Sequence, residues 1–156
     1  MKVVAAAATL IRTATDADIP DIVRLGRAFA ESTQYGEVVG PVSEVKVGNV
    51  CRFCLANGAI FVADSDGDLV GFLAVARHPH DYSDQVALSE LAWFVLEDWR
   101  HGRLGDRLLH AMERWAVLNG VHRVTMIAPV HAPGVARYLA RRGYTAVETA
   151  YSKAVA

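Results

Sequence analysis

The stretch Val95-Leu96-Glu97-Asp98-Trp99-Arg100-His101-Gly102-Arg103-Leu104-Gly105-Asp106-Arg107-Leu108-Leu109 decides how the chain reads. It opens at the end of an apolar run, passes a short segment rich in Gly and Arg, and closes where apolar residues return at helical spacing. That pattern predicts a strand, a turn and a helix. Amides of the turn and of the helix's first turn face one spot, where the helix dipole also favours negative charge. Arg100, Arg103 and Arg107 add cationic charge around it. A pyrophosphate suits such a spot. Gly102 and Gly105 are also open to the plainer reading of residues that shape a tight turn.

Working outward, Val86 to Leu96 is apolar except for Ser89 and Glu90, as expected of a strand covered on both faces. Downstream, Leu104, Leu108, Met112 and Trp115 form one helical stripe that Asn119-Gly120 ends. Val121 to Ala128 reads as a strand. Pro133 opens a helix that stops at Gly143, and Thr145 to about Lys153 reads as a last strand.

Upstream, Thr9 to Thr13 reads as a strand. Asp16 is the expected N-cap of a helix carrying Ile19, Ile22, Val23 and Phe29. Gln34 to Val42 is an expected loop, and Ser43 starts a second helix to about Asn57, with Gly58 as its left-handed terminator. Ala59–Asp64 and Leu69–Arg77 are strands joined by Ser65-Asp66-Gly67-Asp68, a hairpin signal, and a polar loop runs from His78 to Gln85. The order is βααβββαβαβ. Hairpins are antiparallel, whereas the strand–helix–strand unit from Val86 to Ala128 needs a parallel crossover. The expectation is an α/β (α+β) chain: one domain over residues 1–156, with a mixed sheet and helices on both faces.

Composition narrows the function classes. A chain of 156 residues with 53% hydrophobic and 21% charged side chains can bury a core, which excludes a disordered or fibrous protein. No run approaches the roughly 20 apolar residues of a membrane span. Met1-Lys2 followed by Val3 to Ile11 resembles a short signal core, but Arg12 closes it, so a cytoplasmic first strand is expected. Cys51 and Cys54 lie in an apolar helical stretch without a second Cys/His pair, and read as buried thiols. His78, His80, Asp81 and Asp84 read as loop polarity, and no metal is expected. There is no Gly-x-Gly-x-x-Gly after the first strand and no Gly-Lys-Ser/Thr, which leaves dinucleotide folds and P-loop NTPases unsupported. Residues 1–99 carry 7 Lys/Arg against 14 Asp/Glu, and residues 100–156 carry 9 against 3. The split hints at a polyanionic partner for the second half, and a nucleic acid, a phosphorylated cofactor and a mere surface coincidence are all open readings of it.

The Arg100–Gly105 segment resembles the acyl-CoA-binding motif of the GNAT superfamily of N-acetyltransferases, Gln/Arg-x-x-Gly-x-Gly/Ala. Arg100 matches the first position and Gly105 the last, while Arg103 stands where the family has its first Gly. Gly143-Tyr144 resembles the family's Gly-Phe after the last helix, and the element order is the family's own. The segment looks most like bacterial and phage-associated members. The resemblance implies a six- to seven-stranded sheet. The tail after Gly143 is short for the terminal hairpin, so a seventh strand is absent or comes from a partner chain in a homodimer.

The resemblance further implies acetyl-CoA as co-substrate, lying where the fourth and fifth strands splay. Its pantetheine would pair with backbone groups at Phe94 and Val95, and its pyrophosphate would sit on Arg100, His101, Gly102, Arg103, Leu104, Gly105 and Asp106. The amide near Val95 would polarise the thioester carbonyl. Glu90, placed by alternation on the side of Leu88, Ala92 and Phe94, would be the general base, its pKa raised by desolvation. The plainer reading pairs Glu90 with Arg77 or solvent. Tyr138 stands one position from where members carry a thiolate-protonating Tyr, and packing against Val135 is its alternative. His78 and His131 would border the acceptor site. The expected activity is direct acetyl transfer to an amine of a small molecule or peptide. The competing classes are a non-catalytic CoA sensor and a basic nucleic-acid-binding module. The second is disfavoured because the basic half lacks an aromatic-interleaved stripe.

Overall fold

The computed structural model describes residues 8–33, 37–38 and 40–155. Those residues form two compact units, divided between Thr125 and Met126. The expected loop over Gln34–Val42 lies partly outside the described residues, as does most of the apolar N-terminal run.

In the first unit, five strands lie side by side in chain order: β1 (Leu10–Thr13), β2 (Gly58–Ser65), β3 (Asp68–Pro79), β4 (Val86–Val95) and β5 (Arg123–Thr125). The first four are antiparallel neighbours, and β5 runs parallel to β4. The helices are α1 (Ile19–Glu31), α2 (Glu44–Asn57) and α3 (Leu104–Leu118). Mixed sheet and α/β class agree with the expectation, but the strand count does not. Among the described residues there are five strands rather than six or seven. The strand expected over Val121–Ala128 shrinks to Arg123–Thr125, and the one expected over Thr145–Lys153 joins no ladder. Strand propensity alone does not make a strand, and Val147 and Tyr151 are 71% and 94% exposed.

Residues paired across a ladder share a face of the sheet. Ile60, Val62, Phe72, Ala74 and Phe94 pack in one cluster with Ile19, Ile22 and Leu25 of α1 and Cys51 and Cys54 of α2. On the other face Phe61 meets Trp115 of α3 edge to face, with ring centroids 6.4 Å apart. Leu108, Leu109 and Met112 of α3 are fully buried. The helical stripe read from the sequence is therefore the stripe that α3 buries.

Local chemistry accounts for the element ends, with two corrections. Entry to α1 is anchored by Asp18 rather than Asp16: its carboxylate accepts the Thr15 amide at 2.8 Å, ahead of a single 3₁₀ turn over Asp16–Asp18. Ser43 caps α2 as expected, its hydroxyl oxygen accepting the Lys46 amide. Gly58 is not a left-handed terminator. Its φ of −165° is extended, and it pairs with Ala76 as the first residue of β2. Glycine is required there by close approach, since a Cβ would lie 2.2 Å from the Val75 carbonyl oxygen. The β2–β3 turn is as expected: Asp66 and Gly67 both have positive φ, and the Gly67 amide donates to Asp64. α3 ends in a Schellman motif, with Val121 N–H donating to the Ala116 carbonyl at 3.0 Å.

The second unit holds α4 (Pro133–Arg141). Proline occupies its first turn, and Gly143 at φ 90° closes it, with Tyr144 N–H donating to the Leu139 carbonyl at 3.0 Å. Both ends agree with the sequence reading.

Candidate active site

Two irregularities in β4 mark the candidate site. The first is the end of the β4–β5 ladder. Ala87, Leu88 and Ser89 pair with Arg123, Val124 and Thr125, and pairing stops there while β4 continues to Val95. From Glu90 on, the β5 side of β4 is an open edge among the ladders described. The second is a β-bulge. Ala74 pairs with Ala92 but Val75 pairs with Glu90, so Leu91 is an extra residue in β4.

The bulge overturns the simple alternation. Glu90 shares a face with Val75 and Leu88, on the α3 side, while Ala92 and Phe94 share the opposite face with Ala74 and Phe72. Nor is β4 covered on both faces throughout: Ser89, Glu90, Ala92 and Trp93 are half-buried, and Leu91 is exposed. Covered ends flank an opened middle.

The Gly/Arg turn follows directly. Glu97–Gly102 form a 3₁₀ turn, and Arg103 then adopts φ 60°, ψ 16° as the residue that caps α3. This left-handed conformation gives the physical reason why the motif resembled here has glycine at that position. The Arg103 carbonyl takes the Arg107 amide, so α3 begins at once and the amides before Arg107 face its open end. Gly105 lies against the Trp93 indole, where a Cβ would sit 3.4 Å from Cζ2, whereas Gly102 is in open space.

The arginines have separate tasks. Arg100 ties the turn back to the strand: its Nε donates to the Val95 carbonyl at 2.9 Å and its guanidinium lies 5.5 Å from the Phe94 ring centroid. That carbonyl keeps a second lone pair for a ligand. Arg103 pairs with Asp106 at 3.2 Å, on a side chain that is 83% exposed. Arg107 reaches away to the Thr9 carbonyl at 2.8 Å. His101 is exposed. Phe94, Val95 and the run from Arg100 to Asp106 are thus contiguous at the end of β4 and the start of α3.

Ser89 is the residue that sequence reasoning passed over. Its hydroxyl lies 2.8 Å from His78 Nε2, and His78 Nδ1 lies 2.9 Å from the Pro79 carbonyl. The only sequence signal was a pair of polar residues inside an apolar strand. Tyr138 belongs to α4 in the second unit, where it is half-buried. Cys51 and Cys54 are buried, and burial pushes the Cys54 thiol up to about 11. Among the described residues no cluster of His, Cys, Asp or Glu could hold a metal, and no helix is long and apolar enough to cross a membrane.

Residues 28–144 match the model of the acetyltransferase (GNAT) family. The chain belongs to the GNAT acetyltransferase family. No curated protein matches it. Among solved structures, it is similar to a ribosomal-protein-alanine N-acetyltransferase from Brucella melitensis biovar Abortus 2308, with 18% identity and a TM-score of 0.72 over 96% of this chain and 100% of that one. An aminoglycoside acetyltransferase from an uncultured soil metagenomic sample, in complex with sisomicin, shares 17% identity with a TM-score of 0.72, over 95% of each chain. An aminoglycoside N-acetyltransferase in complex with CoA shares 17% identity with a TM-score of 0.71, over 99% of each chain. At these identities the GNAT fold is what is shared.

Proposed function

We propose that this GNAT chain is an acyl-CoA-dependent N-acetyltransferase that moves an acetyl group from acetyl-CoA directly to a primary amine of a small molecule or peptide. The observation that carries the reading is the junction of β4 with α3. An open strand edge leads into a left-handed turn and a helix N-terminus, in a chain whose family acetylates. The donor set fits the co-substrate: strand-edge backbone groups at Phe94 and Val95 suit an amide-bearing pantetheine arm, and the Arg100–Asp106 turn suits a pyrophosphate. When bound, acetyl-CoA supplies the thioester acetyl group. Amide N–H groups near Val95 would polarise its carbonyl oxygen.

An alkylamine of pKa about 10.4 must lose a proton at neutral pH, at roughly 4–5 kcal/mol. Half-buried Glu90, beside the bulge, is the proposed base, acting through a water. Tyr138 is the proposed but minor proton donor to the departing sulfur. Two of the similar structures are named as aminoglycoside acetyltransferases and one as an acetyltransferase of a ribosomal-protein alanine, which supports an amine acceptor. Free Cys51 and Cys54 accord with a reducing, cytoplasmic setting.

The test is calorimetry with acetyl-CoA on Gly105→Ala and Gly105→Glu. Alanine fits beside Trp93 and should retain binding. Glutamate puts bulk and negative charge at the helix N-terminus and should abolish it. Undiminished affinity in a folded Gly105→Glu protein would refute the site. Steeply salt-dependent binding of duplex DNA without acetyl-CoA binding would favour the nucleic-acid reading instead.

A further inference from the structure

We infer that Ser89 and His78 form a second proton-accepting pair in this active site, on the opposite face of β4 from Glu90. The inference rests on the acetyl-transfer reading above and goes beyond it.

Three features of the geometry carry it. The first is the polarity of the contact. A carbonyl oxygen only accepts, so the 2.9 Å contact to Pro79 fixes the His78 proton on Nδ1. In that tautomer Nε2 is the acceptor, and the Ser89 hydroxyl donates to it at 2.8 Å. The serine oxygen is left with lone pairs to receive a proton from elsewhere. After transfer, the imidazolium keeps its Nδ1–H bond to the Pro79 carbonyl.

The second feature is position. Ser89 is the last residue of β4 paired with β5, and Glu90 is the first beyond that pairing. Register puts Ser89 with Ala76, and His78 with Ala87, on the face opposite Val75 and Glu90. A nitrogen at this open edge is thus flanked by a carboxylate on one face and a serine–histidine pair on the other.

The third is stoichiometry. An ammonium reacting with a thioester sheds two protons, one before the N–C bond forms and one after. Glu90 takes the first. Once bonded to the acetyl carbon, the nitrogen still carries the second. That proton passes to Ser89 Oγ as the serine's own proton moves to His78 Nε2. The C–S bond then breaks, its electron pair leaves with sulfur, and sulfur takes up one proton. One proton is released overall, and exposed His78 can return it to solvent.

On the same side of the sheet, β5 contributes Arg123, one strand beyond Ala87. Arg77 and Glu90 point to the other face by register. α2 has no charged residue after Arg52 before it ends beside Ala76, and Arg24 of α1 bonds Leu69 at the far end of β3. In the flanking segments His80 accepts the Tyr82 amide and His122 the Val86 amide.

The experiment measures thiol release from acetyl-CoA with glycinamide and butylamine as probe amines, across pH, for wild type, His78→Gln, Ser89→Ala, the double variant and Ser89→Thr. Ring ¹⁵N NMR of the free protein reads the His78 tautomer. We expect each single variant to lower kcat about tenfold or more, with the acetyl-CoA KM unchanged. The double variant should be no worse than either single one, because the two side chains act as a unit. Ser89→Thr should recover activity. The imidazole limb of the kcat pH profile should vanish in His78→Gln. Unchanged kcat and pH profile in that variant would overturn the pair while leaving acetyl transfer intact. No thiol release and no acetyl-CoA binding in wild type would overturn the acetyl-transfer reading, and the pair with it.

Discussion

Replacing Arg103 by glycine should make this protein more stable than replacing it by alanine, although both substitutions remove the same side chain. Arg103 sits at φ 60°, ψ 16°. An L side chain in this region costs roughly 1–2 kcal/mol through the clash of its Cβ with the carbonyl oxygen. Glycine escapes that cost but loses about 0.4–1 kcal/mol more chain entropy on folding. The difference favours glycine by about 1 kcal/mol, which for a chain of this size is roughly 2–4 °C in Tm. The Arg103–Asp106 ion pair cancels from the comparison, since both variants lack it. With Arg103 83% exposed the pair contributes little in any case. Thermal unfolding of Arg103→Gly and Arg103→Ala, followed by circular dichroism, gives the difference. The same variants separate strain from charge: both lose a cation at a helix N-terminus, and both should bind acetyl-CoA about two- to fivefold more weakly. An alanine variant as stable as the glycine variant would refute the assignment of strain at this turn. It would also remove the physical account of why glycine belongs there.

Gly58→Ala should destabilise by about 2–3 kcal/mol in urea unfolding, because its Cβ would meet the Val75 carbonyl oxygen at 2.2 Å and β2 would have to shift against β3. The Asp18 carboxyl is held down at about 2, chiefly by the two-pronged Arg12 guanidinium at 2.8 and 2.9 Å. The unfolded chain therefore protonates Asp18 first, and its contribution of about 1–2 kcal/mol is complete above pH 4 and lost as pH falls towards 2. Acid unfolding of Asp18→Asn should lack that step. Glu90→Gln should lower turnover at neutral pH more than Tyr138→Phe, which should cost less than about tenfold. A thiol near pKa 8.5 leaves as thiolate at pH 7 for only roughly 2 kcal/mol, less than half the demand on the base. A far larger loss from Tyr138→Phe in steady-state thiol release would reverse the ranking.

Local chemistry alone made most of this fold legible. The α3 stripe, the Asp66-Gly67 hairpin, the Ser43 cap and the closures at Gly120 and Gly143 depend on residues a few positions apart, so the chain carries them wherever it goes. The Gly/Arg turn was readable for the same reason: strand, turn and helix start are contiguous. Alternation misplaced Glu90 because a bulge is a property of two strands. Leu91 is an ordinary apolar residue until β3 offers one residue fewer than β4 presents. The role of Gly58 was equally hidden, since only the approach of the Val75 carbonyl excludes a side chain there. Ser89 and His78 are 11 residues apart, and only the β3–β4 register brings their polar atoms to 2.8 Å. The strand expected after Thr145 pairs with no other strand among the described residues, because strand propensity is local and pairing is not. Caps, turns and stripes are short-range and so belong to the sequence; register, bulges and the meeting of polar side chains are long-range, and packing alone decides them.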